Sequence, residues 1–465
     1  MNISNQKRNI MMITLLSGAF LALLAETFLN NALITIMHAF HVNQATAQWL
    51  STGYLLIVGV MIPLSAWVFH RFTTRFSYLT MLLVFIMGTL ICVLANNFYV
   101  LLAGRMIEAI AAGAMMPFIQ NVILQLFKPE QRGVALGLTG LVIAFGPAIG
   151  PTISGLILKN YDWHMLFWVL LVTSVLILIC ALWQFPTINQ PHAIKLDWYS
   201  FLESISGFGI ILFIFSEIGN TGKINFWQII IFIIGLIILL AFGIRQLKLD
   251  SPLINVRVFI NSQFNWNTLL STLSNIAMVG IELVLPMYLQ TTRQESALST
   301  GLIMMPGAII MGIFNPISGY LYDKFGIKKI SLIGFSILFV GTLPMVFFNT
   351  ATPVWLITTS YTIRMIGIAL TMMNTFTAGI NELPSNAVAD GNAAASTIRQ
   401  IGGSLGTALS MTLMSVGVAV ATHQGVAPQL TTEIGFRWAF YLMIAIAIIG
   451  IVTSFKLSPT MRKNS

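Results

Sequence analysis

IPLSAWVFHRFTTR, residues 62–75, and NPISGYLYDKFGIK, residues 315–328, align without a gap. Each closes an apolar run and opens a basic loop. A second pair, RMIEAIAAGAMM from Arg105 and RMIGIALTMM from Arg364, recurs at an offset of 259 residues against 253 for the first. A repeat at this spacing predicts two related halves. Together with the apolar runs it predicts two six-helix bundles, residues 1–190 and 251–465, with two inserted helices over 191–250. Parallel halves with small-residue helix faces suit a rocking transporter with a midplane site. A duplicated channel or receptor scaffold would share the repeat.

Composition sets the class. Of 465 residues, 57% are hydrophobic and 8% charged, whereas soluble domains carry roughly 25% charged residues. Apolar stretches of about 20 residues recur along the whole length, the pattern of membrane helices; barrel strands would alternate polarity over roughly ten. No long polar segment separates them, so no soluble domain is expected. Cys92 and Cys180 fall inside apolar spans and read as small packing residues, with no disulfide or metal site expected. The apolar run after Lys7 and Arg8 is too long for a secretion signal and lacks a small-residue cleavage site, so it reads as the first span.

A crossing needs about 20 apolar residues. Fourteen spans are predicted, at 11–37, 49–69, 77–96, 98–117, 133–158, 165–185, 199–219, 227–247, 264–290, 298–321, 329–349, 354–379, 389–420 and 435–456. An even count returns both ends to one side. That side holds sixteen basic residues: Lys7, Arg8, Arg71, Arg75, Lys128, Arg132, Lys195, Arg245, Lys248, Arg257, Lys324, Lys328, Lys329, Lys456, Arg462 and Lys463. The other holds four, Lys159, Lys223, Arg293 and Arg437. By the positive-inside rule both termini are expected in the cytoplasm. The formal charge of +9 then follows from topology, and no nucleic-acid partner is expected. Arg105, Arg364 and Arg399 remain, in or at the edge of spans.

LLSGAFLALLAETFLNNALITIM, residues 15–37, carries Glu26 near its middle with Asn30 and Asn31 a turn further on. A carboxylate at the bilayer centre costs at least ~2.5–3.5 kcal/mol on insertion scales, so an acid there marks a functional site by default. A structural ion pair, or hydrogen bonds to the asparagines, is the plainer use. Arg105 and Glu108 are three residues apart and share a helix face; they either couple protons or neutralise each other. In GPAIGPTISG, residues 146–155, Gly146, Gly150 and Gly155 let a neighbouring helix approach, while Pro147 and Pro151 bend the backbone.

These motifs resemble the major facilitator superfamily and, within it, the QacA/EmrB-like fourteen-helix drug:proton antiporters. The resemblance covers essentially the whole chain. GYLYDKFGIKK (319–329) matches the superfamily's loop motif, with Gly319, Asp323, Lys324, Gly326 and Lys328. GRMIEAIAAGAMMP (104–117) matches the arginine motif of the fourth helix, and GPAIGPTISG the antiporter motif of the fifth. LDWYSFL (196–202), PLINVRVF (252–259), LPMYLQ (285–290), TGLIMMPG (300–307) and IRQIGGSLG (398–406) match the narrower family. The chain departs from the pattern in three places. The first-helix acid is Glu26, directly before Thr27, where the family commonly has one at the position of Ala25. The N-terminal loop motif has His70 for its acid and Ala66 and Thr73 for its glycines. Glu108 stands where glutamine is usual.

The resemblance implies an all-α polytopic fold with fourteen transmembrane helices, in the cytoplasmic membrane of a bacterium. It puts spans 1, 4, 9 and 12 around a central cavity, the spans that carry Glu26, Arg105, Glu108, Glu282 and Arg364. Glu203 and Glu217, near the two ends of span 7, read as interfacial. The activity implied is export of lipophilic, often cationic, drugs by alternating access: a cavity acid binds either a proton or the drug, so the two fluxes are coupled. Glu26, Arg105 and Glu108 are the proton-coupling candidates. Glu26, Asn30 and Glu282 are the polar substrate-binding candidates. Phe28, Met115 and Met278, with Phe20, Met116 and Met287, are candidates for an adaptable lipophilic wall or plain lipid-facing packing. Arg364 and Arg399 join the glycines, prolines and loop residues above as conformational motifs. A monomer is expected, with the proton gradient as energy source and no cofactor. The sequence holds no Walker loop, HExxH site or nucleophile elbow, so neither ATP-driven transport nor an enzyme is supported. Export of an endogenous metabolite, peptide or lipid, or a non-transporting sensor on this fold, are the alternatives.

Overall fold

The computed structural model describes residues 5–29, 32–42, 44–189, 191, 196–221, 224–249 and 252–458. Among them there is no β-strand. The first half consists of α1 (Asn5–Phe28), α2 (Leu33–Phe40), α3 (Gln44–Met61), α4 (Leu64–Arg71), α5 (Thr74–Val93), α6 (Phe98–Leu126), α7 (Arg132–Asn160) and α8 (His164–Gln184). The inserted pair is α9 (Trp198–Thr221) and α10 (Phe226–Lys248). The second half consists of α11 (Ser262–Met287), α12 (Ala297–Phe325), α13 (Ile327–Thr342), α14 (Val354–Asn381), α15 (Val388–His423) and α16 (Pro428–Ser454). Polar residues at the turns start several of these helices by accepting from otherwise unpaired first-turn amides. Thr73 accepts from Phe76 N at 3.3 Å, Asn97 from Val100 N at 3.0 Å and Asn261 from Phe264 N at 3.1 Å.

Each predicted span falls on helix among the described residues, the first on α1 and α2 and the second on α3 and α4, which meet at a bend of 51°. Among the described residues twelve helices are individually long and apolar enough to cross a membrane, or thirteen with the bent pair counted as one span. Fourteen crossings therefore stays a proposal.

Glycine sets the closest approaches. A Cβ on Gly88 of α5 would meet Glu108 N of α6 at 2.5 Å, and one on Gly341 of α13 would meet Arg364 N of α14 at 2.5 Å. The same device joins the halves: on α7, Gly133 and Gly137 lie where a Cβ would meet Gly319 O and Asn315 O of α12, each at 2.7 Å. The inserted α9 packs against α3 on one side and α15 on the other, with α10 behind it. Much of α10 is exposed, Ile233, Ile237 and Leu240 included, as suits a lipid-facing helix. At one end Arg245 clamps Asp197 with hydrogen bonds of 2.7 and 3.0 Å, and these hold the Asp197 carboxyl down at about 2.

The end of the bundle that carries the described chain ends is closed. There Arg132 Nη1 donates to Asn381 Oδ1 at 2.9 Å, and Asn392 Nδ2 donates to Pro117 O and Asn121 Oδ1, both at 2.7 Å. His70 Nε2 stands 3.9 Å from Asp390 Oδ1 across the same boundary. At this end Gly326, at φ 80°, turns the chain from α12 into α13 in a conformation that favours glycine. Lys328 Nζ reaches Phe455 O at 3.1 Å, Lys324 Nζ stands 5.3 Å from the Phe325 ring centroid, and Asp323 lies beside Gly133.

Candidate functional site

Between the halves lies a cavity of about 320 Å³. Four helices each give it one stripe at helical spacing: Ala22 and Glu26 from α1, Gly113 and Gln120 from α6, Asn275 and Glu282 from α11, and Gln400, Ser404 and Thr407 from α15. Thr52 of α3, and Leu212 and Ser216 of the inserted α9, complete the wall.

Packing of the next residue aims Glu26. Thr27 Oγ1 turns toward α7, 3.5 Å from Gly146 O, and Gly150 leaves room for it. One residue back, about 100° around the helix, Glu26 faces the cavity. The glycines of GPAIGPTISG thus seat α1 so that its acid points inward. Pro147 and Pro151 lie on the same helix, and Gly155 is exposed near its far end. Glu282 comes from the second half and lines the same cavity.

Arg105 and Glu108 are fully buried and paired behind this wall. Glu108 also accepts from Thr89 Oγ1 at 2.8 Å, and the Arg105 guanidinium lies 3.9 Å over the Tyr54 ring. Tyr54 in turn donates to Ala22 O of α1 at 3.3 Å, one turn from Glu26. Arg364, the repeat mate of Arg105, is buried and donates to Thr342 Oγ1 and to Ala277 O, the latter at 2.7 Å.

Several expectations change. Phe28 and Met115 are 1% exposed, packed into the helix core and off the cavity wall, while Met116 and Met278 line it. Neighbouring positions on one helix point about 100° apart, so composition alone could not choose between Met115 and Met116. Asn30 lies outside the described residues. Arg399, expected as a conformational residue, is on the cavity wall. The polar stripe of α15 is not among the expected site residues, although its spacing is visible beside IRQIGGSLG: Gly402 and Gly406 pack on Thr272 and Ile276 of α11, and Gln400, Ser404 and Thr407 face inward. Nothing in the sequence marked Leu212 and Ser216.

The chain matches the family model described as Major Facilitator Superfamily over residues 15–407. It is 39% identical to the uncharacterised MFS-type transporter YcnB of Bacillus subtilis (strain 168), over 98% of this chain and 96% of that protein. It is 37% identical to the lincomycin resistance protein LmrB of the same organism, over 96% of this chain and 94% of that one. The solved structure of the proton:xylose symporter XylE superposes with a TM-score of 0.65 at 15% identity, over 98% of this chain and 96% of that one, a likeness of fold. With two helical halves closing on a cavity and the family's sequence running through both, this chain belongs to the major facilitator superfamily, a family of membrane transporters and not of enzymes.

Proposed function

We propose that the protein is a proton-coupled multidrug efflux antiporter of a bacterial cytoplasmic membrane, with both termini in the cytoplasm. One observation carries this reading: Glu26 and Glu282, one acid from each half, line a single cavity. The resistance name of LmrB supports the choice of export. Glu26 exchanges a proton for the drug, and Arg105 with Glu108, behind it, senses that exchange through Tyr54. Glu282 adds a second negative point. Because Coulomb energy rises as the effective dielectric falls, two carboxyls in a cavity favour cations, and dications most.

Glu26→Gln is expected to abolish proton-driven efflux while the protein still inserts and folds. Everted vesicles loaded with a pH dye provide the test: undiminished substrate-induced alkalinisation in the variant would refute the assignment. Absence of any substrate-induced proton flux in the wild type would favour a sensor. Glu282→Gln should weaken efflux of a dication more than that of a monocation and spare a neutral compound. Equal losses for all three would remove the selector role.

A further inference from the structure

Of the three arginines left over from the loops, Arg105, Arg364 and Arg399, two have their guanidinium hydrogen-bonded within their own half. Arg105 has Glu108, and Arg364 has two oxygen acceptors. Arg399 has neither arrangement. Its guanidinium carbon lies 4.8 Å from the Phe376 ring centroid, and its Nη1 is buried without a hydrogen-bond partner. No ion pair among the described residues includes it. It nonetheless lines the cavity, next to Gln400 in sequence and together with Ser404. Its position is pinned from behind, because its backbone carbonyl accepts from Asn275 Nδ2 of α11 at 2.9 Å. A cation taken out of water without a counter-charge is expensive, and those that persist within membranes face a cavity and find their partner there.

We propose that Arg399 is the anion-binding point of the cavity, so that the ligands fitting it best carry a carboxylate as well as a protonatable amine. The guanidinium fork matches a carboxylate with two parallel hydrogen bonds, and Gln400 and Ser404 supply further donors beside it. The amine is taken by Glu26 and Glu282, which line the same cavity. The cavity thus has two poles, and a dipolar molecule satisfies both, whereas a simple lipophilic cation leaves Arg399 unmatched. The inference rests on reading the cavity as the substrate site of the exporter, and it adds a charge pattern to that reading.

Rhodamine B and its ethyl ester share one cationic ring system and differ only in a free carboxylate. Their affinities for the purified full-length protein can be read by fluorescence polarisation, independently of any proton gradient. Arg399→Gln should weaken rhodamine B about tenfold more than it weakens the ester, the scale of one charge-assisted hydrogen bond. Arg399→Lys, which keeps the charge and loses the fork, should fall between. Equal loss of both dyes in Arg399→Gln would overturn the inference and leave Arg399 a shaping residue, and no loss of either would overturn it as well. If the wild type binds neither dye, the substrate-site reading itself falls, an outcome told apart because it needs no variant.

Discussion

The two halves solve one problem in different ways. Each buries an arginine at the same repeat position, against a Gly-Thr pair on the preceding long helix: Gly88 and Thr89 beside Arg105, Gly341 and Thr342 beside Arg364. In the first half a carboxylate intervenes, with Thr89 bonding Glu108 and Glu108 neutralising Arg105. In the second half Thr342 and a main-chain carbonyl take the guanidinium directly. The position equivalent to Glu108 is Gly367, where a Cβ would meet Leu338 N at 2.6 Å, so no side chain fits. The difference is thus built into helix packing. It leaves a buried arginine–carboxylate pair beside α1 and its Glu26, while Arg364 is held by uncharged oxygens.

The comparison can be broken most sharply at Glu108. Glu108→Leu strands a buried guanidinium and should cost about 3–5 kcal/mol, the usual penalty for removing one partner of a buried pair. Thermal unfolding in detergent reads it, and a loss no larger than that of an exposed substitution would mean Arg105 needs no counter-charge. Thr342→Val comes next, at about 1.5–3 kcal/mol, because it removes one of the two acceptors of a cation that has no carboxylate. Thr89→Val should cost less, about 1 kcal/mol, since Glu108 keeps its arginine. If the two threonine variants lose equally, the halves are not using the position differently.

Asp323→Asn should leave stability nearly intact and slow transport without changing which compounds are recognised, since Asp323 sits beside Gly133 at the closed end, away from the cavity. An altered spectrum at normal rate would contradict this. The smallest effect belongs to the partly exposed Asp197–Arg245 clamp on the inserted pair. Its folded carboxyl titrates at about 2, below the ordinary 3.8, so its contribution is complete above roughly pH 4 and disappears as pH falls through about 2. Asp197→Asn should lower stability by a small and constant amount above roughly pH 4, neutrality included, and flatten the acid limb of the stability curve, where the two proteins converge.

Helix positions and the repeat were legible because hydropathy and loop charge are one-dimensional signals. Glu26 and Glu282 were legible because an acid within a span is costly enough to need a reason. Which face a residue occupies was legible only where small residues mark the packed side. The glycines of α7 fix Thr27 and thereby Glu26, and Gly402 and Gly406, packed on α11, mark the inward stripe of α15. Phe28 and Met115 had no such marker, and a long apolar side chain fits a core as readily as a cavity. The seat of α9 depends on a tertiary contact between distant helices, which no local pattern encodes.

That seat makes the two boundaries between the halves unlike. Along α7 and α12 the halves meet directly, backbone against backbone. On the other side α9 is wedged between α3 and α15, and its Leu212 and Ser216 reach the cavity. In any motion that parts the halves, α9 can stay seated on only one of them. The cavity is therefore bounded by a direct seam on one side, and on the other by a post that belongs to neither half.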